Sequence, residues 1–253
     1  MGEDWQVAWI TGASTGLGRE LALEFARSGV KVAASARRAD KLEALARDHV
    51  SIDVYPLDVT NAQAVENAVT EIEAGTGPID LAILNAGKGA QLNPKHFDVA
   101  TVRELFETNY MGVIHGLAAV LPRMIGRKRG HIAMTASIAG YRGMPRLGAY
   151  GPTKAALISL AECLRPELER LGVTVSVINP GFIDTPLTER NTIPMPFMLS
   201  PEDAAQRIVA GLKTGKFEIA FPWQMVSMAK LMRVLPYSVY FWWVRNFGLR
   251  KRG

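Results

Sequence analysis

Apolar positions along the chain follow two rhythms. Seven short runs are β-rich, several of them apolar almost throughout: 5-WQVAWI-10, 30-VKVAAS-35, 52-IDVYPL-57, 79-IDLAIL-84, 131-HIAMTA-136, 173-VTVSVI-178 and 217-FEIAF-221. Runs of that length and composition predict strands covered on both faces. Between them the apolar residues recur at helical spacing, as in 18-GRELALEFARSG-29 and 102-VRELFETNYMGVIHGLAAVLPRMI-125. Strand and helix alternating in this way predict βαβ units, right-handed crossovers and a parallel sheet in a single α/β domain. Pro166 lies inside the helical pattern that follows Tyr150. It predicts a kink, because proline costs a free helix roughly 3 kcal/mol. The segment 181-GFIDTPLTERNTIPMPFMLS-200 fits neither rhythm and reads as a long binding loop.

Composition narrows the class. The chain has 253 residues, 48% of them hydrophobic and 21% charged, enough for one large core and too apolar for disorder. A single cysteine, Cys163, makes no internal disulfide and no zinc cage, which fits a reducing cytoplasm. The opening MGEDWQ is acidic and runs straight into a strand, so no signal peptide is expected. No apolar run approaches the roughly 18 residues of a spanning helix. The net charge is +5, but the chain from Phe221 onward has no Asp or Glu. That tail carries +6, from Lys230, Arg233, Arg245, Arg250, Lys251 and Arg252, which leaves the first 220 residues at −1. A nearly neutral body with a basic tail does not indicate a nucleic-acid surface.

The first strand runs into 11-TGASTGLG-18, with Gly12, Gly16 and Gly18 spaced by Ser14, Thr15 and Leu17. Glycines at a strand-to-helix turn let backbone approach a phosphate, and the helix that follows aims its free N–H groups at a pyrophosphate. An acid at the end of the second strand would take the ribose hydroxyls of NAD. Ala36 stands there instead, followed by Arg37 and Arg38. Guanidinium groups suit a 2′-phosphate, so the residues favour NADP(H), with Arg37 first and Arg38 second. Asp58, after the third strand, suits a hydrogen bond from the adenine amino group.

Tyr150 and Lys154 share one helix face in 149-AYGPTKAAL-157. A free tyrosine, with a pKa of about 10, exchanges protons poorly near neutrality, and a nearby ammonium favours the phenolate. Lys154 supplies that charge and also suits a hydrogen bond to a nicotinamide ribose. Ser137 ends the fifth strand, at the edge where a parallel sheet meets its ligand, and its hydroxyl suits a carbonyl oxygen. Asn109, on the long preceding helix, is positioned to anchor a proton-relaying water.

With these residues in view the chain resembles the short-chain dehydrogenases/reductases. The resemblance rests on 11-TGASTGLG-18, Asp58-Val59, 85-NAG-87, Asn109, Ser137, 150-YGPTK-154 and 180-PGFIDT-185, and covers about residues 5–222. It implies a Rossmann-type, doubly wound, parallel seven-stranded sheet and a tetrad of Asn109, Ser137, Tyr150 and Lys154. In that tetrad Tyr150 is the general acid or base, Ser137 polarises the substrate, Lys154 tunes Tyr150 and grips the ribose, and Asn109 holds the relay water. Asn85, Ala86 and Gly87 would line the cofactor, with Pro180, Gly181, Ile183 and Thr185 at its nicotinamide end. Thr15 stands where some NADP enzymes carry a basic residue. No metal is implied.

The substrate is expected beside 138-IAGYRGMPRL-147, including Ala139 and Met144, and beside Phe182, Leu187, Met195, Phe197 and Met198. These are mostly apolar and predict a lipophilic ketone, aldehyde or alcohol. A 3-oxoacyl thioester reductase and a non-catalytic NADP-binding scaffold are the alternatives. Residues 1–222 read as the NADP-binding catalytic domain and 223–253 as a basic, aromatic-rich amphipathic tail. In the tail Met225, Met228, Ala229, Met232 and Leu235 form one apolar helix face, before Pro236 and 240-YFWWV-244. Such a face suits a membrane surface, a sister subunit in a homodimer or homotetramer, or the mouth of the active site. The expected location is cytoplasmic, peripheral on a membrane's inner face if the tail binds lipid.

Overall fold

The computed structural model describes residues 5–47, 49–189 and 195–248. The first four residues, on which the expectation of no leader rests, lie outside them, as do the middle of the proline-rich segment and Arg250, Lys251 and Arg252. Seven strands form one sheet: β1 (Val7–Thr11), β2 (Lys31–Ser35), β3 (Ile52–Val54), β4 (Leu81–Leu84), β5 (Gly130–Thr135), β6 (Val173–Pro180) and β7 (Glu218–Phe221). Every pairing is parallel, in the order β3-β2-β1-β4-β5-β6-β7. All seven runs expected from the apolar pattern are strands. β3 stops at Val54, ahead of Pro56, which has no N–H to give a ladder.

Helices cover both faces. Strand residues alternate sides, so Ala8 and Ile10 of β1 join one core while Trp9 joins the other. The first core packs α1 (Gly16–Arg27), α2 (Ala39–Arg47) and α7 (Pro201–Lys213) through Leu21, Phe25, Leu42, Ile208 and Leu212. The second packs α3 (Ala62–Gly75), α5 (Gly112–Gly126) and α6 (Tyr150–Glu169) through Ile72, Leu117, Val120, Leu157 and Ala161. The chain winds outward from β1 to β3, then restarts at β4 on the other side. That reversal opens a crevice at the carboxyl ends of β1 and β4, where open α/β sheets bind ligands.

One helix departs from expectation. The long helix read over 102–125 is α4 (Val99–Phe106), a π-helical turn (Glu107–Met111) and then α5. α6 runs through Pro166 to Glu169, held by its buried face against the second core. Past β7 the tail forms α8 (Trp223–Val234), α9 (Tyr237–Trp243) and a closing π-helical turn, Val244–Gly248. Among the described residues no helix is long and apolar enough to cross a membrane.

Candidate active site

The crevice begins at the turn between β1 and α1. Gly12 has φ 72° and Gly16 φ 54°, the left-handed region that glycine enters without strain. Gly18 serves close approach instead: a Cβ there would lie 2.3 Å from the Gly12 carbonyl oxygen. The turn is fastened to the loop after β4. Thr11 Oγ1 accepts from the N–H groups of Asn85 (2.9 Å) and Ala86 (3.0 Å), and Asn85 Nδ2 donates to Thr11 O at 3.1 Å. α1 has no side-chain cap and no acid in its first turn. Its leading N–H groups and positive end therefore suit an anion, and the glycine cradle fits a dinucleotide's phosphates.

Beyond β2, Arg37 is exposed on the cleft wall. Arg38 turns back to the glycine loop and donates through Nη2 to Ser14 Oγ (3.0 Å) and Thr15 Oγ1 (2.9 Å). Burial opposes ionisation of Asp58, but the N–H and hydroxyl of Thr60 and the charges of Arg37 and Lys88 together hold its carboxyl below the usual value.

Three side chains meet at the other end. Ser137 directly follows β5 and the adjoining Ala136, while Tyr150 and Lys154 occupy the start of α6. Ser137 and Lys154 are buried, and Tyr150 keeps an edge open to the cleft. Ser137 Oγ accepts from Ala139 N–H at 3.1 Å and donates weakly to Pro180 O at 3.4 Å. Lys154 Nζ donates to Thr135 O at 2.7 Å and lies 5.6 Å from the centre of the Tyr150 ring. Burial lowers the Lys154 pKa to about 8. Burial also pushes Tyr150 up to about 12, against a hydrogen bond with Ser137 that pulls it down. The expected depression of the tyrosine by its lysine is therefore not what the protein alone produces. The low-dielectric surroundings penalise the phenolate more than its neighbours favour it.

Asn109 sits in the π-helical turn, fully buried and behind the cleft wall. Its Oδ1 accepts from Lys88 N–H at 2.7 Å, and its Nδ2 donates to Lys88 O (2.9 Å) and Thr153 Oγ1 (3.1 Å). With both amide protons spent, the side chain holds the loop after β4 against the first turn of α6. A relay water at Asn109 would therefore be held by one of its oxygens and not by Nδ2. Gly87 preserves the gap: a Cβ there would lie 3.3 Å from Asn109 Oδ1 and 3.6 Å from Lys154 Nζ.

Glycine turn, basic loop and Ser–Tyr–Lys cluster line one cleft of about 2490 Å³. The family model described as short chain dehydrogenase matches residues 6–194. The chain belongs to that family. It is an oxidoreductase acting on CH–OH or C=O groups. An uncharacterized oxidoreductase of Myxococcus xanthus is 41% identical over 241 residues, covering 93% of this chain and 95% of that one. A short chain dehydrogenase/reductase from Burkholderia phymatum, solved in complex with NAD, superposes with a TM-score of 0.83 at 26% identity, covering 92% of this chain and 94% of the other. The alcohol dehydrogenase of Thermococcus sibiricus, complexed with 5-hydroxy-NADP, gives 0.78 at 28% identity, covering 86% and 96%.

In this short-chain dehydrogenase most of the remaining expected residues also border the cleft. Leu17, Val59, Gly181, Ile183 and Thr185 line it, as do Ala139, Met144, Phe182 and Leu187. Met195, Phe197 and Met198 do not; Phe197 and Met198 point to solvent. Their place is taken by tail residues: Met225, Met228, Ala229 and Met232 of α8, for which the active-site mouth was one of three expected destinations, and Tyr240, Trp243 and Val244, which were not assigned to the cleft. The tail is pinned to its own chain. Arg142 donates to Arg233 O at 2.7 Å, and its guanidinium lies 4.3 Å over the Tyr240 ring and 4.7 Å over the Tyr237 ring. The Tyr240 hydroxyl donates to Gly143 O, and the Lys230 ammonium pairs with Glu218, which also accepts from Tyr141 and Asn179. The apolar face of α8 thus turns inward. Its spacing was a legible signal; which of the three expected destinations it takes was not.

Proposed function

We propose that the enzyme is an NADP(H)-dependent reductase or dehydrogenase of lipophilic carbonyl compounds or secondary alcohols, with Tyr150 as general acid/base. The observation that carries the reading is the convergence of Ser137, Tyr150 and Lys154 in one cleft with the glycine turn. When bound, the nicotinamide supplies or accepts the hydride at the carbonyl carbon. Ser137 donates only weakly at 3.4 Å to Pro180 O, so its hydroxyl is readily traded to a substrate oxygen. Tyr150, with a pKa near 12, stays protonated at neutral pH and gives its proton to that oxygen during reduction. Lys154, near 8, is still mostly an ammonium at pH 7 and offsets the negative charge left on the phenolate. Asn109 acts as a positioning residue, fixing Lys88 and Thr153 around this group.

NADP(H) is favoured by Ala36 in place of an acid, by exposed Arg37, and by Arg38 tied to Ser14 and Thr15. A lipophilic substrate is favoured by the wall of methionines and aromatic rings from α8 and α9, which a scaffold that only binds cofactor would not need. Residues 1–222 would bind cofactor and carry the chemistry, and 223–253 would complete the substrate wall. A cytoplasmic homodimer or homotetramer completes the reading. The test is NADPH oxidation across short polar ketones, long-chain aldehydes, steroid-like ketones and a 3-oxoacyl thioester, with Tyr150→Phe as the blank. We expect activity on the lipophilic members and at least about a hundredfold loss in Tyr150→Phe with NADPH still bound. Wild-type turnover in that variant would overturn the assignment of Tyr150.

A further inference from the structure

The tail helices have a second apolar face. The inward one, through Met225 and Val226 of α8 and Tyr240 of α9, is used by the body and the cleft. The outward one is not. Trp223, Leu231 and Val234 run down the solvent side of α8, with Trp223 73% and Val234 76% exposed. On α9, Tyr237 stacks on Phe241 at 5.9 Å, and Trp242 is also exposed. Arg233 and Arg245 flank this surface, and the sequence continues into Arg250, Lys251 and Arg252. Lys230 is neutralised by Glu218, and no acidic residue follows Glu218. Monomeric soluble proteins rarely leave so many large apolar side chains exposed together.

We propose that this outward face seats the enzyme on an anionic lipid surface. This seat is not the methionine face, for which lipid was one of three open destinations, because that face lines the cleft. Charge decides between lipid and a second copy of the chain. Arg233 reaches Tyr141, beside the Glu218 carboxylate, but a two-fold contact through this face would bring the two copies' Arg245 together, and the tail sequence has no Asp or Glu to offset them. Anionic headgroups complement them instead, and tryptophan and tyrosine suit the boundary between headgroups and acyl chains. The same helices wall the cleft, so docking brings its mouth to the bilayer, the source of lipophilic substrates. The inference goes beyond the reaction assigned above and holds or fails without any turnover.

The test is flotation of the full chain with vesicles of phosphatidylcholine alone and of phosphatidylcholine mixed with phosphatidylglycerol. We expect the protein to float with the mixed vesicles and to be released by salt, which screens the arginines. Trp223→Ser/Leu231→Ser/Val234→Ser should weaken partition about tenfold or more, with thermal midpoint and NADPH binding unchanged, since all three side chains are exposed on the solvent side of α8. Arg233→Gln/Arg245→Gln should weaken it about 30-fold on the mixed vesicles only, at roughly 1 kcal/mol for each charge. Failure of the full chain to float overturns the proposal, as does equal flotation of the triple variant. If sedimentation instead shows the triple variant splitting an oligomer that does not float, the face is a subunit interface and the lipid seat is wrong.

Discussion

Lys154→Met tests whether the buried ammonium carries the electrostatic cost that its surroundings imply. Burial lowers its pKa from the ordinary 10.5 to about 8. At about 1.4 kcal/mol for each tenfold step, holding the charge in the folded protein costs roughly 3 kcal/mol below pH 8. The sign follows from proton counting. Between pH 8 and 10.5 the unfolded chain keeps the lysine proton and the folded chain releases it, so stability rises with pH across that window. The methionine variant has no such proton at this position, and groups common to both proteins cancel in the difference. Wild type should therefore gain about 2–3 kcal/mol relative to Lys154→Met between pH 7 and pH 10. Urea unfolding of both proteins at pH 7, 8, 9 and 10 measures this. The absolute gap at pH 7 is less telling, because methionine also abandons the hydrogen bond to Thr135 O. A difference that stays flat across the four pH values would refute the reasoning, since the lysine would then titrate as if in water. The variant should also lose turnover, the cost of the charge being what the chemistry requires.

Two further perturbations address the cofactor end. Arg37→Ala should weaken NADPH about 10- to 100-fold, the worth of a charge-assisted contact, and NADH by little; equal losses in titrations of the two would place 2′-phosphate recognition elsewhere. Gly18→Ala drives a Cβ to within 2.3 Å of Gly12 O and 2.7 Å of Asn85 Nδ2, so the cradle must shift. We expect a stability loss of about 1–3 kcal/mol together with a clear loss of NADPH affinity. Gly29→Ala is the control: its φ of 84° strains any side chain, but the space is open, so stability falls while affinity holds.

The sheet was legible because a parallel strand buried on both faces needs an apolar side chain at nearly every position, as in 79-IDLAIL-84. The cofactor and chemical residues were legible for another reason. Gly12, Ser137, Tyr150 and Lys154 sit at or near element ends, where the backbone and the ligand dictate residue type. Periodicity reports which face of a helix is apolar and not what covers it. That is why Met225 and Met232 read as one stripe while the cleft wall stood as only one of three places for it. Pro166 does not end α6, because the helix's buried face holds it against the second core past the local preference against proline. Phe197 and Met198 misled because large apolar residues in a loop carry no signal of direction. The pKa of Tyr150 went unread because a sequence shows the neighbouring charge and hides the desolvation.

The π-helical turn at Glu107–Met111 has a consequence for how this segment tolerates change in length. A π turn is an α-helix with one residue inserted, and each residue in a helix advances the phase by about 100°. Removing one residue there would restore regular helical hydrogen bonding. It would also swing Asn109 away from Lys88 and Thr153, orphaning three buried hydrogen bonds and loosening the wall of the cleft. Length in this helix is thus under a constraint separate from helix propensity. Single-residue deletions between Glu107 and Met111 form a class of lesion that helix content would not reveal and that activity and thermal midpoint together would.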